Sequence, residues 1–148
     1  MEPFRLGMAL RGAYLTLHRR ANAALSAFHI TADQMVVLTL LAEEDGITQQ
    51  DLVKRIYSDP NTITAMLRLL EDRGFISRRP HATDGRARCI DLTPQGRELQ
   101  RQTKECLADM HTSFVDLFSP REAEKLLAML EQISKGWQPV KPQEIPNP

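Results

Sequence analysis

Residues 59–96 read DPNTITAMLRLLEDRGFISRRPHATDGRARCIDLTPQG. Ser58 or Asp59 can cap a helix here, and Pro60 is tolerated in its first turn because the missing N–H would have no partner there. Ile63, Met66, Leu67 and Leu70 recur at helical spacing and define one apolar face. Gly74 stands where such a helix ends. The other face offers Asn61, Thr62, Thr64, Ala65 and Arg68. FISRRP and ARCIDL then read as two short strands, joined by HATDGR, in which Asp84-Gly85 tolerates the positive φ of a tight hairpin turn. Ile90 and Leu92 are expected to point inward, with Cys89 on the opposite, more exposed face.

Upstream, Thr31 followed three residues later by Gln34 fits a capping box, and Met35, Leu38 and Leu41 supply the apolar face of a helix that should stop near Asp45-Gly46. Thr48 and Asp51 open a short third helix with Leu52, Val53 and Ile56 inward. Before these, Leu6, Leu10, Ala13, Tyr14, Leu17, Ala21, Ala24, Leu25 and Phe28 keep helical spacing over several turns. Downstream, Thr93-Pro94 caps a long helix with Leu99, Cys106, Met110, Phe114 and Leu117 near one face. Ser119-Pro120-Arg121-Glu122 opens a last one bearing Leu126, Leu127, Leu130 and Ile133. Residues 138–148 hold four prolines and read as a loose tail. The fold class is therefore mainly α with a small β-hairpin wing: helix, short turn, helix and hairpin in the order of a winged helix-turn-helix.

The 148 residues are about the size of one domain, and 42% hydrophobic with 26% charged side chains is ordinary for a globular chain. No stretch approaches the ~18 apolar residues of a membrane span, and a signal peptide's apolar core is absent, so cytoplasmic placement is expected. Two cysteines and four histidines without ligand spacing argue against a metal site or a disulfide framework, and no cofactor is expected. GxSxG, HExxH and P-loop motifs are missing, which argues against an enzyme.

The net charge of zero hides an asymmetry. From Lys54 to Arg88 there are eight basic and four acidic residues, whereas from Asp91 to Lys135 there are six basic and eight acidic. A polyanion should meet the middle of the chain. The major groove of B-DNA admits one α-helix, and Asn61, Thr62, Thr64 and Arg68 are placed to reach base edges and phosphates. Arg86 at the hairpin tip is suited to the adjacent minor groove or its phosphates.

TADQMVVLTLL (31–41), GITQQDLVKRI (46–56), DPNTITAMLRLLEDRGFISR (59–78) and DGRARCIDLTPQG (84–96) together resemble the MarR (multiple antibiotic resistance regulator) family of winged-helix transcription factors, over roughly residues 8–135. The resemblance implies one unit over 1–137: a winged helix-turn-helix at about 32–92, with dimerisation helices at about 5–28 and 94–136. It also implies a homodimer on a pseudo-palindromic double-stranded operator, usually a repressor released by a small molecule, often an aromatic acid, or by thiol oxidation. Carried over, the family's recognition contacts fall on Asn61, Thr62, Thr64 and Arg68, its wing pair on Asp84 and Arg86, and the arginine closing the first wing strand on Arg78. His18 falls where part of an effector pocket is expected. Cys89, near Arg86 and Arg88, is the better-placed thiol for redox sensing, and Cys106 reads as a small buried hydrophobe. The rival class is a winged helix that binds protein, which would not need Arg68 and Arg86 to face a phosphate backbone.

Overall fold

The computed structural model describes residues 2–136; the expected tail at 138–148 lies outside the described residues. Helix α1 (Pro3–Leu25) starts with proline in its first turn and ends in a short 3-10 turn at Ser26–Phe28, three residues earlier than the apolar spacing alone implies. His29, at φ 54°, turns the chain toward α2 (Ala32–Glu43). The capping box is present there: Gln34 N donates to Thr31 Oγ1 at 3.2 Å, and Thr31 N donates to Gln34 Oε1 at 3.0 Å. These reciprocal bonds occupy two backbone donors that the first helical turn would otherwise leave open.

Strand β1 (Ile47–Thr48) leads directly into α3 (Gln49–Ile56), α4 (Pro60–Asp72) follows, and β2 (Ile76–Pro80) and β3 (Arg88–Leu92) form the wing. Two strands were expected, yet the sheet has three, in the order β1-β3-β2 and antiparallel throughout. Ile47 pairs with Ile90, Thr48 with Cys89, and Arg79 with Cys89 from the other side. Strand β3 is therefore central, and this corrects the reading of Cys89. The thiol lies between neighbours on both edges and is 3% exposed. Alternation exposes a side chain only where its face of the sheet is left open to water.

Gly74 follows α4 at φ +77°, a conformation that glycine adopts without a Cβ clash. Gly96 serves a different purpose: it packs so closely on the Phe75 carbonyl that any Cβ would overlap it. Neither Asp84 nor Gly85 is in the left-handed region, so the positive φ expected of this pair is not used. The wing loop spans 81–87 and is closed by hydrogen bonds, with Ala87 N donating to Asp84 O and His81 N to Ala87 O, each at 3.1 Å.

Helix α5 (Pro94–Val115) is capped by Thr93, whose hydroxyl accepts from Gly96 N at 3.1 Å. Its buried side chains are Leu99, Thr103 and Leu107. Cys106 stands beside that stripe, is exposed, and donates to the Ala24 carbonyl at 3.4 Å, so the two cysteines exchange the environments expected of them. Helix α6 (Pro120–Gly136) starts at the expected Ser119–Glu122 box.

The chain forms two compact units, one ending at Met110 and the other beginning at His111. The first holds the core, in which Leu25, Val37, Leu38, Leu41, Leu52, Ile63, Leu67, Leu70 and Ile90 are fully buried. In the second, α6 buries none of its residues. No single helix among the described residues is long and apolar enough to cross a membrane.

Candidate nucleic-acid interface

The turn between α3 and α4 is three residues long. Tyr57 takes a left-handed conformation at φ 57°, and its N–H closes α3 on the Val53 carbonyl. Asp59 then caps α4: Oδ1 accepts from Thr62 N at 2.9 Å, and Oδ2 accepts from the Thr62 hydroxyl at 2.6 Å. The Thr62 hydroxyl, with help from its amide, holds the Asp59 carboxyl below the usual aspartate value. A charged cap at this end also complements the positive end of the helix dipole.

Ile63, Met66, Leu67 and Leu70 are buried, which turns Asn61, Thr62, Thr64, Ala65 and Arg68 outward as the periodicity predicts. Hydrogen bonding divides this exposed set. The Thr62 hydroxyl is spent on Asp59, and that of Thr64 donates to the Pro60 carbonyl at 2.8 Å while accepting from Gln49 Nε2 at 2.8 Å. Asn61 and Arg68 have side chains free of partners among the described residues. On this face they are the groups available to a ligand.

The wing shows the same division. Arg78 is half-buried: its Nη1 donates to Gln49 Oε1 at 3.3 Å, and its Nε lies 2.9 Å from Glu71 Oε2 without the alignment of a hydrogen bond. It thus braces β2 against α3 and α4. Arg79 is paired with Asp91 at 2.6 Å, a contact that holds its guanidinium more firmly protonated. Asp84 takes the Arg86 amide on Oδ1 at 3.0 Å and forms no ion pair among the described residues, so it shapes the turn that carries Arg86. His81 Nδ1 accepts from the amides of Thr83 and Asp84 at 3.3 and 3.1 Å. Arg86 and Arg88 remain without an acidic partner among the described residues.

The eight basic side chains of segment 54–88 accordingly fall into two groups. Arg55 is paired with Glu44, Arg73 is held by backbone carbonyls, and Arg78 and Arg79 are bound by acids. Lys54, Arg68, Arg86 and Arg88 keep their charge unpaired among the described residues, and three of these four lie on α4 or the wing. A cleft of about 490 Å³ separates the first turn of α3 from the wing, lined by Gln49, Gln50, His81, Asp84, Arg86 and Arg88 among others.

His18 sits apart from this surface. Its ring stacks on Tyr14 at 5.4 Å between centroids, and Nδ1 is 3.9 Å from Asp33. Among the described residues no group of three or more His, Cys, Asp or Glu is placed to hold a metal ion. Sequence reasoning missed Gln49, Glu71 and His81. Gln49 and Glu71 lie on no apolar stripe, and their partners are 15 or 29 residues and 7 residues away respectively.

The profile of the MarR family matches residues 30–87, which spans α2, the helix-turn-helix and most of the wing. An uncharacterized HTH-type transcriptional regulator of Bacillus subtilis, YdgJ, is 38% identical over 76 residues, covering 51% of this chain and 46% of that protein. The HTH-type transcriptional repressor Mb2911 of Mycobacterium bovis is 25% identical over 86% of this chain and 92% of its own length. The crystal structure of a mutant MarR from E. coli complexed with operator DNA superposes with a TM-score of 0.80, at 26% identity over 90% of this chain and 99% of that one. These relatives and this fold are those of transcriptional regulators, not of enzymes.

Proposed function

The chain is a member of the MarR family through its winged-helix segment, residues 30–87, and from that premise we propose that it is a homodimeric, sequence-specific DNA-binding repressor. The observation that carries this reading is the sorting of polar groups on one lobe. Asn61 and Arg68 on α4, and Arg86 and Arg88 on the wing, keep their side-chain hydrogen-bonding groups free among the described residues, while neighbouring arginines are neutralised within the fold. Helix α4 would enter the major groove, with Asn61 and Arg68 toward base edges, and the wing would set Arg86 in the flanking minor groove. Thr62, Thr64, Arg78 and Asp84 would act at the interface by holding these groups in place.

Dimerisation is supported by apolar side chains that a single chain leaves in water. On α1 these include Phe4, Leu6, Leu10 and Tyr14, and on α6 Leu127, Leu130 and Ile133. A two-fold dimer would read a pseudo-palindromic operator with half-sites about one helical turn apart. The repressor sense follows the mycobacterial relative's name. Release by a small-molecule effector near His18 and a cytoplasmic location, where the DNA target would be met, belong to the same reading.

The test is fluorescence anisotropy with duplex DNA from upstream of the chain's own gene, at two salt concentrations. The wild type is compared with Arg68→Ala/Arg86→Ala. Tight binding that weakens steeply with salt, and is lost in the double variant, is the expected result. Binding to the best site obtained by selection from random duplexes that ignored both salt and the two arginines would sink the reading in favour of a protein partner.

A further inference from the structure

We infer that Gln49 is a positioning residue of the DNA interface, locking the wing to the recognition helix at one spacing. The inference rests on the DNA-binding reading above and adds to it the element that fixes its geometry. A carboxamide carries a donor and an acceptor a short distance apart, and Gln49 uses both across element boundaries. Its Nε2 donates to Thr64 Oγ1 on α4 at 2.8 Å, and its Oε1 accepts from Arg78 Nη1 on β2 at 3.3 Å. The third side is Arg78 Nε against Glu71 Oε2, back on α4, at 2.9 Å. The contacts form a closed triangle: α3 to α4, α4 to β2, and β2 to α3.

Closure is what matters mechanically. Two contacts in series leave a hinge, whereas three contacts among three elements fix their mutual angles. Here those elements carry the groups free to meet DNA, Asn61 and Arg68 on α4 and, through β2 and its loop, Arg86 on the wing. Thr64 cannot drift to satisfy a different partner cheaply, since its own proton is committed to the Pro60 carbonyl. Glutamate at position 49 would keep an acceptor for Arg78 and lose the N–H donor to Thr64, and asparagine would be one methylene short. Gln49 is half-buried at the cleft and lies outside the apolar core, so its removal should change spacing more than folding.

The experiment measures affinity for the selected operator and for an unrelated duplex of equal length, with melting temperature, for the full-length wild type, Gln49→Ala, Thr64→Val and the double variant. Each single substitution is expected to weaken operator binding about tenfold, the scale of one misplaced base contact, with unrelated-duplex binding and melting temperature unchanged. The double variant should be no worse than Gln49→Ala, because that substitution already removes the side that Thr64→Val cuts. Full operator affinity in Gln49→Ala, equal losses on both duplexes, or additive losses in the double variant would each overturn the inference while leaving the DNA-binding reading intact. A wild-type chain with no preference for any duplex would remove both.

Discussion

Helices α4 and α6 carry apolar stripes of the same kind, and their fates differ. In α4, Ile63, Met66, Leu67 and Leu70 are all buried by the chain's own core, whereas in α6 Leu127 is 59% exposed and Met129, Leu130 and Ile133 are exposed with it. The N-terminal half of α1 resembles α6, with Phe4, Leu6, Leu10 and Tyr14 in water, although its C-terminal end buries Ala21 and Leu25. Helical periodicity states which face is apolar; it does not state what covers that face. In the DNA-reading lobe the cover is local, supplied by α2, α3 and the sheet. On the terminal helices it is missing among the described residues, and the proposed second copy would supply it.

The largest effect is expected from emptying the lobe's core. Leu67→Ala should cost about 2–5 kcal/mol of folding stability, the range for deleting a fully buried leucine, read as a lowered urea midpoint. A cost below about 1 kcal/mol, the level of ordinary surface substitutions or little more, would mean that α4 is less firmly packed than its burial implies. The converse variant is Leu127→Asp/Leu130→Asp, which places charge on the uncovered α6 face. It should convert the proposed dimer to monomer in sedimentation and weaken operator binding by roughly 100-fold, because the second half-site would no longer benefit from linkage to the first. A variant that sedimented and bound as wild type would show that α6 has no partner at this face.

A smaller effect is expected where the lobe grips the end of α1. Arg73, at the C-terminus of α4, donates to the carbonyls of Phe28 and His29, and its guanidinium stands 4.9 Å from the centre of the Phe75 ring. Arg73→Ala should cost about 1 kcal/mol, the net worth of such exposed contacts, and leave sedimentation unchanged. Dissociation of the dimer in this variant would instead tie α4 to the association surface.

Legibility in the sequence followed the same boundary between local and distant causes. Capping at Thr31, Asp59, Thr93 and Ser119 was readable because cap and partner lie within three residues of one another. The buried face of α4 was readable from its period. Strand β1 was not, since two residues carry no period, and its absence from the sequence reading left β3 looking like an edge and Cys89 looking exposed. Cys106 was misplaced because the buried line of α5 runs through Thr103 and Leu107, and a threonine hides a stripe from a search for apolar residues. Which arginines are free was also illegible. Arg55, Arg79 and Arg97 find their acids 11, 12 and 52 residues away, and only the fold brings them together.

The finest distinction between the two regions concerns their capping carboxylates. Asp59 in the lobe and Glu122 at the start of α6 are each held below their usual values, in both cases chiefly by a hydroxyl, that of Thr62 or of Ser119. A carboxyl depressed in the folded state binds its proton more readily when unfolded. Its stabilisation is therefore present above the unfolded value, 3.8 for Asp59 and 4.5 for Glu122, and is lost as pH falls through the lower folded value. Both groups are exposed, so each effect should be small. Asp59→Asn keeps an acceptor for the Thr62 amide while removing the titration. It should lie slightly below wild type near neutrality, where the carboxylate accepts from both Thr62 groups, converge with it in acid, and so decline less steeply in urea midpoint below about pH 4, the usual aspartate range. Glu122→Gln should show its flattened acid response in dimer dissociation, because α6 has no core of its own to lose. Parallel acid limbs for wild type and Asp59→Asn would show that the Asp59–Thr62 contact contributes nothing to the lobe, leaving the cap to geometry alone.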